Sequence, residues 1–137
     1  MNCVICEIAK RTVPSRIVHQ DENTIVFLPR ELNVRGHMVV SPVVHYETIF
    51  DIDSDILSTV MKQAQRMAEN CKRTLDADGV NILHASGRGA QQSIMHFHLH
   101  IIPRHKGDNI DAWPNLPEWE GDLDQLLLQL RDTTNDK

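Results

Sequence analysis

Aromatic residues are scarce in this sequence of 137 residues, at 4% of the chain. Their scarcity argues against a platform that stacks the bases of single-stranded nucleic acid. The net charge of -5 argues against non-specific binding to a phosphate backbone. No apolar run approaches the roughly 20 residues that a membrane-spanning helix needs. We therefore expect neither direct nucleic-acid binding nor insertion into a membrane.

Cysteine is also scarce, and an odd count of three does not indicate a disulfide framework. No signal-peptide pattern opens the sequence. Because a chain without disulfides suits a reducing compartment, we expect a cytoplasmic location. Hydrophobic residues make up 41% and charged residues 24% of the chain, which is ordinary for a globular protein. The length suits one domain over residues 1–137, and we expect residues 133–137 to form a frayed tail.

The most informative stretch that is present alternates histidine with apolar residues, reading His-Phe-His-Leu-His-Ile at 96–101. Strict alternation predicts a half-buried β-strand, with His96, His98 and His100 on one face and the apolar residues in the core. Neutral imidazole can act as a nucleophile, a general acid or base, or a metal ligand. Because clusters of titratable groups mark functional sites, we interpret the three histidines as a candidate active site.

A second motif is the Cys-x-x-Cys pair formed by Cys3 and Cys6. Such a pair can be half of a zinc site, a redox centre, or neither. A thioredoxin-like redox motif follows a strand within a βαβ pattern, and no such strand precedes this pair. Zinc usually takes four ligands, so a zinc site would need two more residues from elsewhere. On residues alone these options stay open, and His45 would be a surface or capping histidine.

The remaining patterns predict an α+β fold, with an antiparallel sheet of about five strands, one long helix and a short C-terminal helix. Strands are predicted at 16–20, 23–28, 36–41, 80–84 and 96–102. Asp53 and Asp55 begin the long helix, in which Met61 and Met67 are expected to face the core. Leucines between 123 and 130 predict the short helix. The two tryptophans before it, Trp113 and Trp119, could cover the core, the substrate cleft or a partner subunit.

The histidine run, extended to Ile102, resembles the His-φ-His-φ-His-φ-φ signature of the histidine triad family of nucleotide hydrolases and transferases. The resemblance runs in collinear order from Cys3 to Arg104, and it also includes Gly36-His37, Pro42-Val43-Val44-His45, Asp78-Gly79-Val80-Asn81, Gln92-Ser93-Ile94 and Pro103-Arg104. It implies a homodimer whose sheet continues across the two-fold axis. It also implies a small-molecule nucleotide substrate and no organic cofactor.

The resemblance further implies cleavage at the α-phosphorus of a nucleotide conjugate, such as a phosphoramidate or a dinucleoside polyphosphate, through a covalent nucleotidyl-histidine. His98 would be the nucleophile. His100 would contact the phosphate or donate a proton, and His96 would orient the site, bind zinc, or do both. Gln92 and Ser93 would contact the α-phosphate.

The sequence departs from the family at two places. Pro29, Arg30 and Glu31 stand where relatives usually carry an aspartate that binds ribose hydroxyls, and Glu31 is the candidate substitute. Relatives often have an asparagine in the stretch matching 84–86, and Ser86 is the nearest polar candidate there. Both residues are therefore included among the expected substrate contacts.

The resemblance also bears on the cysteine pair. Some family members with this pair complete a zinc site with the histidines that match His45 and His96. The resemblance therefore implies a structural zinc site made of Cys3, Cys6, His45 and His96.

Two other functions stay open. The histidines could be ligands of a catalytic metal in a metal-dependent hydrolase, although the chain has no His-x-His-x-Asp-His pattern and no acidic residue between Gly79 and Lys106. Alternatively, a non-catalytic nucleotide-binding or regulatory protein could retain the triad. The departures at Pro29 and Ala85 motivate this second alternative.

Overall fold

The structure is a computed structural model that describes residues 2–31 and 34–132. The expected tail at 133–137 lies outside these residues. The elements in chain order are α1 (Val4–Ala9), β1 (Arg16–Gln20), β2 (Thr24–Leu28), β3 (Met38–Pro42), α2 (Ser54–Leu75), β4 (Gly79–Leu83), a short 3-10 turn (Arg88–Ala90), β5 (Leu99–Arg104) and α3 (Leu123–Asp132).

The strands form one five-stranded sheet in the order β1-β2-β3-β5-β4, and every neighbouring pair is antiparallel. The predicted α+β fold is therefore confirmed, with α2 as its long helix. Helix α1 was not predicted, because six residues are too few for a helical period to stand out. Cys3 caps this helix, and its Sγ accepts the backbone N–H of Cys6.

Helix α2 covers one face of the sheet. Asp53 is its N-cap and accepts the backbone N–H groups of Asp55 and Ile56, as the sequence predicted. The buried residues of the helix form one stripe at helical spacing, and they are Val60, Gln63, Ala64, Met67 and Cys71. The expectation for Met61 was wrong, because Met61 lies off this stripe and is exposed. Gln63 occupies the stripe instead, and its amide donates to Thr24 Oγ1 at 3.0 Å.

Helix α1 covers part of the opposite face. Ile5 and Ile8 pack there against Ile25, Phe27 and Val39. The strand register connects Ile17 to Phe27, Phe27 to Val39, and Val39 to His100. Paired residues of neighbouring strands point to the same face of a sheet. His100 therefore lies on the α1 face of the sheet.

Strand β5 begins at Leu99, so the expectation of a strand from His96 was wrong at its start. The backbone of Phe97 makes other bonds: its N–H donates to the Tyr46 carbonyl at 2.6 Å, and its carbonyl accepts from Ser41 Oγ at 2.7 Å. The expected burial still holds, because Phe97, Leu99 and Ile101 pack in the core beneath α2. The alternation therefore predicted the buried side correctly, although only its second half is strand.

The chain after β5 is held by Arg104. This guanidinium donates to both carboxylate oxygens of Asp108, to Asn81 Oδ1 and to the Ile110 carbonyl. Beyond this anchor, Trp113 and Trp119 are exposed and do not cover the core. Helix α3 lies where the short C-terminal helix was predicted, and Leu123, Leu127 and Leu128 are exposed on it. No helix in the described part of the chain combines the length and apolarity needed to cross a membrane.

Candidate active site

A cavity of about 400 Å³ opens on the α1 face of the sheet. His98 and His100 line it on one side. Apolar residues of α1 and the following loop, including Ile5, Ile8 and Val13, line it on the other. Pockets of this size are typical of small-molecule sites. The cavity therefore has room for an organic substrate beside two of the three histidines.

His98 is held in a defined tautomer. Its Nδ1 lies 2.7 Å from the backbone carbonyl of His96, and a carbonyl can only accept, so Nδ1 carries the proton. Nε2 is consequently a bare nitrogen with a free lone pair. Burial lowers the pKa of His98, and the nearby His84 lowers it further. The imidazole is therefore neutral near pH 7, as a nucleophile must be.

His100 has a partner that the sequence did not reveal. His37 Nε2 lies 2.9 Å from His100 Nδ1, and the sequence predicted no functional role for His37. Burial, followed by the fields of His98 and His37, lowers the pKa of His100 to about 4. The Gly-His pair of the family resemblance was the signal that pointed to His37. The contact itself joins residues 63 positions apart, which no local pattern predicts.

The four predicted metal ligands come together in the structure. His96 Nδ1 lies 3.3 Å from Cys3 Sγ, 3.5 Å from Cys6 Sγ and 3.1 Å from His45 Nδ1. Cys6 Sγ also lies 3.5 Å from His45 Nδ1. All four ligand atoms lie within 4.8 Å of one another. The sequence prediction of this cluster therefore agrees with the structure residue by residue.

The donor set fits zinc. Two sulfurs and two imidazole nitrogens form one of the usual structural sets for this metal, and tetrahedral bonds of the usual lengths place neighbouring ligand atoms roughly 3.3 to 3.8 Å apart. The four separations given above, at 3.1 to 3.5 Å, are close to those values, and no pair of ligand atoms is more than 4.8 Å apart. His96 also has the outer hydrogen bond that zinc-binding imidazoles usually make, because its Nε2 donates to the Pro42 carbonyl at 2.8 Å. The Nε2 of His45 is buried and has no partner among the described residues.

The side-chain amide of Gln92 is occupied within the protein. Its Oε1 accepts the Gly87 N–H at 2.6 Å, and its Nε2 donates to the carbonyls of Glu47 and Ile94 at 2.7 and 3.0 Å. These bonds hold the turn that precedes the histidines. Ser93, which follows Gln92, is exposed. Of the two expected phosphate contacts, Ser93 therefore keeps its side chain accessible.

The other two expected contacts are not among the residues that line the cavity. Ser86 Oγ accepts the Ile49 N–H at 2.8 Å and is hydrogen-bonded to His84 Nε2. His84 in turn donates from Nδ1 to the His98 carbonyl at 2.9 Å. Glu31 is exposed and is not among the residues that line the cavity, whereas Pro29 and Arg30 are. The structure therefore does not bring Ser86 or Glu31 together with the histidines around the cavity.

The chain is similar to several known proteins. A family model described as the HIT domain matches residues 10–107. A HIT-like protein of Methanocaldococcus jannaschii is 37% identical over 106 residues, which cover 77% of this chain and 81% of the relative. The adenosine 5'-monophosphoramidase of Saccharomyces cerevisiae is 31% identical over 126 residues, which cover 90% of this chain and 75% of that enzyme.

A solved structure is similar over nearly the full length. It is that of a zinc-bound histidine triad family protein from Mycobacterium smegmatis, and it is 29% identical to this chain. The two structures superpose with a TM-score of 0.78, and the match covers 97% of this chain and 98% of the other. Taken with the match of the domain model, these similarities show that the chain belongs to the HIT family.

Proposed function

We propose that this protein hydrolyses nucleotide conjugates at the α-phosphate, or transfers the nucleotidyl group, through a covalent nucleotidyl-histidine. The observation that carries this proposal is the bond from His98 Nδ1 to the His96 carbonyl. It fixes the tautomer in which Nε2 is bare, on a side chain that lines a cavity. Similarity to a yeast adenosine 5'-monophosphoramidase supports the choice of a nucleoside phosphoramidate as the first substrate to test.

The reaction has two displacement steps. In the first, His98 Nε2 forms a bond to the α-phosphorus, and the bond from phosphorus to the leaving nitrogen or oxygen breaks. The nucleotidyl group is then attached to His98, whose Nδ1–H remains bonded to the His96 carbonyl. In the second, water or another acceptor attacks the same phosphorus and releases the histidine nitrogen. Covalent catalysis of this kind divides one difficult step into two easier ones.

Four neighbouring residues would assist these steps, two of them through a partner. With the His37 Nε2–H donating to His100 Nδ1, His100 would present Nε2–H as a donor toward the phosphate or the leaving group. Ser93 is accessible at the turn before the histidines and would contact a nonbridging oxygen, where charge develops. For Gln92, whose amide is bonded within the protein, we propose that it holds this turn in place.

A structural metal site accompanies this chemistry in our proposal. Cys3, Cys6, His45 and His96 would hold zinc and thereby tie α1 to the histidine segment. All four ligand positions would be filled by protein, so such a zinc ion has no open position for substrate. This arrangement disfavours the alternative of a metal-dependent hydrolase. Neither His98 nor His100 belongs to the group of four.

We also propose a homodimer. Strand β4 is an edge strand of the sheet, and Ile82 on this strand is 41% exposed. An uncovered edge with an exposed apolar residue is a surface on which a second strand can pair. Light scattering of the parent protein and of Ile82→Lys tests this. We expect a dimer for the parent and a shift toward monomer for the variant, and a monomeric parent would contradict the proposal.

The test of the catalytic proposal is intact-protein mass spectrometry after brief reaction with an adenosine phosphoramidate and a rapid quench. We expect a nucleotidyl adduct on the parent, none on His98→Ala, and an unchanged adduct on His19→Ala, which removes a partly exposed histidine of β1. Turnover of His98→Ala should fall roughly a thousandfold or more, as expected for loss of a nucleophile. Monophosphate release by His98→Ala at the parent rate would contradict the proposal.

Other outcomes identify the alternatives. Monophosphate binding without an adduct or product would favour a non-catalytic nucleotide-binding protein. A metal-dependent hydrolase would be favoured if the protein turned over substrate without forming an adduct, and if a chelator abolished this turnover and added metal restored it.

A further inference from the structure

The peptide that carries His98 lies outside the hydrogen-bonded ladder of the sheet. Pairing of β3 with β5 ends at Val40 and Leu99, and pairing of β4 with β5 ends at Leu83 and His100. His98 precedes both of these last pairs. The proposed nucleophile is therefore not fixed by the strand that follows it, and its position depends on other contacts of residues 96–98.

The last residues of β3 and the loop that follows it supply several of those contacts. Ser41 Oγ donates to the Phe97 carbonyl at 2.7 Å, and the Phe97 N–H donates to the Tyr46 carbonyl at 2.6 Å. The Pro42 carbonyl accepts from His96 Nε2 at 2.8 Å. His45, one of the four candidate metal ligands, belongs to this same loop. Residues 41–46 therefore both support the histidine segment and supply a ligand to the cluster.

The ring of His96 is held at both nitrogens. Nε2 is bonded to Pro42, and Nδ1 faces Cys3, Cys6 and His45 at 3.1 to 3.5 Å. The side chain is completely buried, with 0% of its surface exposed. The backbone carbonyl of this same residue accepts the Nδ1–H of His98. His96 thus connects the candidate metal cluster to the Nδ1 proton of His98, and the position of this proton leaves Nε2 free to act as the nucleophile.

From this chain of contacts we infer that the cluster of Cys3, Cys6, His45 and His96 positions the nucleophile, in addition to holding α1. Ligation of His96 Nδ1 would fix the residue whose carbonyl selects the Nδ1–H tautomer of His98, a side chain that lines the cavity. The inference rests on the proposed function of His98. Outer contacts of this kind commonly orient reactive and ligating imidazoles.

The tautomer matters because a neutral imidazole has one bare nitrogen. The His96 carbonyl is the partner of His98 Nδ1 among the described residues. If this carbonyl moves away, part of the population carries its proton on Nε2 instead. A protonated Nε2 has no free lone pair and cannot attack phosphorus. Loss of the metal would therefore slow the first chemical step even where the nucleotide still binds. A cluster that only held α1 would affect binding instead, since Ile5 and Ile8 line the cavity.

The experiment compares zinc-loaded and zinc-free protein by NMR of histidines labelled with 15N, which shows which ring nitrogen carries the proton. We expect His98 to be protonated at Nδ1 alone in the zinc-loaded parent, and to become a mixture of tautomers in the zinc-free parent and in His45→Ala. His19→Ala, with all four ligands intact, should match the parent.

Single-turnover adduct formation should slow about 10- to 100-fold on metal loss, the usual effect of removing an outer contact of a reactive imidazole. AMP affinity, measured by calorimetry, should change far less, and zinc should restore the rate to the parent.

The outcomes separate the inference from the function on which it rests. An unchanged His98 tautomer and adduct rate in the zinc-free protein would overturn the inference, and the cluster would then serve only to hold α1. If the zinc-loaded parent formed no adduct and released no monophosphate, the proposed function would fail, and the tautomer spectra alone would decide the inference. If His45→Ala does not fold, graded chelation of the parent gives the same comparison, because NMR signals of buried Phe97 and Leu99 identify the molecules that remain folded.

Discussion

His37 Nε2 lies 2.9 Å from His100 Nδ1, and the two rings are tilted by 42° with their centroids 5.1 Å apart. The contact pairs a residue just before β3 with one inside β5. Val39, two residues after His37, is the sheet partner of His100. His37 therefore reaches His100 from the neighbouring strand and shares the α1 face with it.

The His37→Phe variant tests whether this contact supports the chemistry. Phenylalanine keeps a ring of similar size but cannot hydrogen-bond, so the tautomer and orientation of His100 are no longer fixed. We expect kcat for phosphoramidate hydrolysis to fall at least about tenfold, a typical effect of losing an orienting partner, with a smaller change in KM. His19→Phe is the matched control at a partly exposed strand position. Unchanged kcat in His37→Phe would show that His100 acts without this partner.

The pH dependence of stability should carry a signature of His100. Its pKa is lowered from 6.5 to about 4 in the folded protein, chiefly by burial. Between pH 6.5 and 4, His100 is therefore protonated in the unfolded chain but neutral in the folded protein. The corresponding part of the free energy of unfolding is fully present above pH 6.5 and is lost as pH falls through this window. We expect His100→Phe to reduce the fall of Tm across this window. Both proteins keep the four candidate ligands, so acid release of metal affects both, and parallel Tm curves would contradict the prediction.

Alanine substitutions at three glycines should reduce the free energy of unfolding by different amounts. Gly36 has a φ of +87°, and a Cβ there would lie 2.5 Å from Leu75 Cδ1 and 2.9 Å from Pro103 Cγ. Gly107 has a φ of +78° with open space around it, and Gly89 has open space without a positive φ. We expect Gly36→Ala to lower the free energy of unfolding by about 2 kcal/mol or more, through strain and overpacking. Gly107→Ala should cost about 1 kcal/mol, and Gly89→Ala less than about 0.5 kcal/mol. Urea unfolding that ranked Gly107→Ala below Gly36→Ala in stability would contradict this order.

Metal content offers a direct test of the Cys/His cluster. We expect native mass spectrometry to find one zinc ion bound per chain of the parent. Cys6→Ala should lose the metal, because three remaining ligands bind zinc far more weakly than four. Cys71→Ala removes a buried cysteine of α2 that is not in the cluster, and it should keep one zinc per chain. Equal metal content in both variants would show that zinc binds elsewhere.

Arg30 is the basis of a prediction on binding. It lines the cavity together with Arg16, and none of the described residues lining that cavity is a carboxylate. A partly exposed cation beside an anionic ligand contributes modestly and is screened by salt. We expect Arg30→Ala to raise the Kd for AMP about two- to fivefold and to weaken its salt dependence. Arg73→Ala, on the exposed end of α2, should leave both unchanged, and a Kd of Arg30→Ala equal to the parent's would show that Arg30 does not contact the ligand.

Elements with a strong period were predictable from the sequence. The alternation around Phe97, Leu99 and Ile101 predicted their burial, and the acidic N-cap and spacing of α2 predicted its start at Asp53. The metal cluster was reached by resemblance, since its ligands come from three separate stretches of chain. Features that depend on tertiary contacts could not be predicted from the sequence. The late start of β5 depends on bonds from Phe97 to Ser41 and Tyr46, and the His37–His100 contact depends on the pairing of β3 with β5.

The expected substrate residues show the same limit. Ser86 was chosen because it is the nearest polar residue to a missing asparagine, yet its hydroxyl is bonded to Ile49 and His84. Gln92 was expected at the phosphate, but all three of its amide bonds are made within the protein. Position in the sequence placed both residues near the site. Only the hydrogen-bond geometry reveals where their polar atoms are directed.

The wide sequence separation of the four cluster residues has a consequence for folding. Cys3 and His96 are 93 residues apart, and the cluster cannot assemble until the first residues of the chain meet the segment before the last strand. Contacts of such long range form late and slow the overall folding reaction. Binding of zinc to the cluster would therefore occur in the final stage of refolding. A refolding experiment that follows zinc uptake in real time would observe the moment at which the sheet, α1 and the histidine segment become one structure.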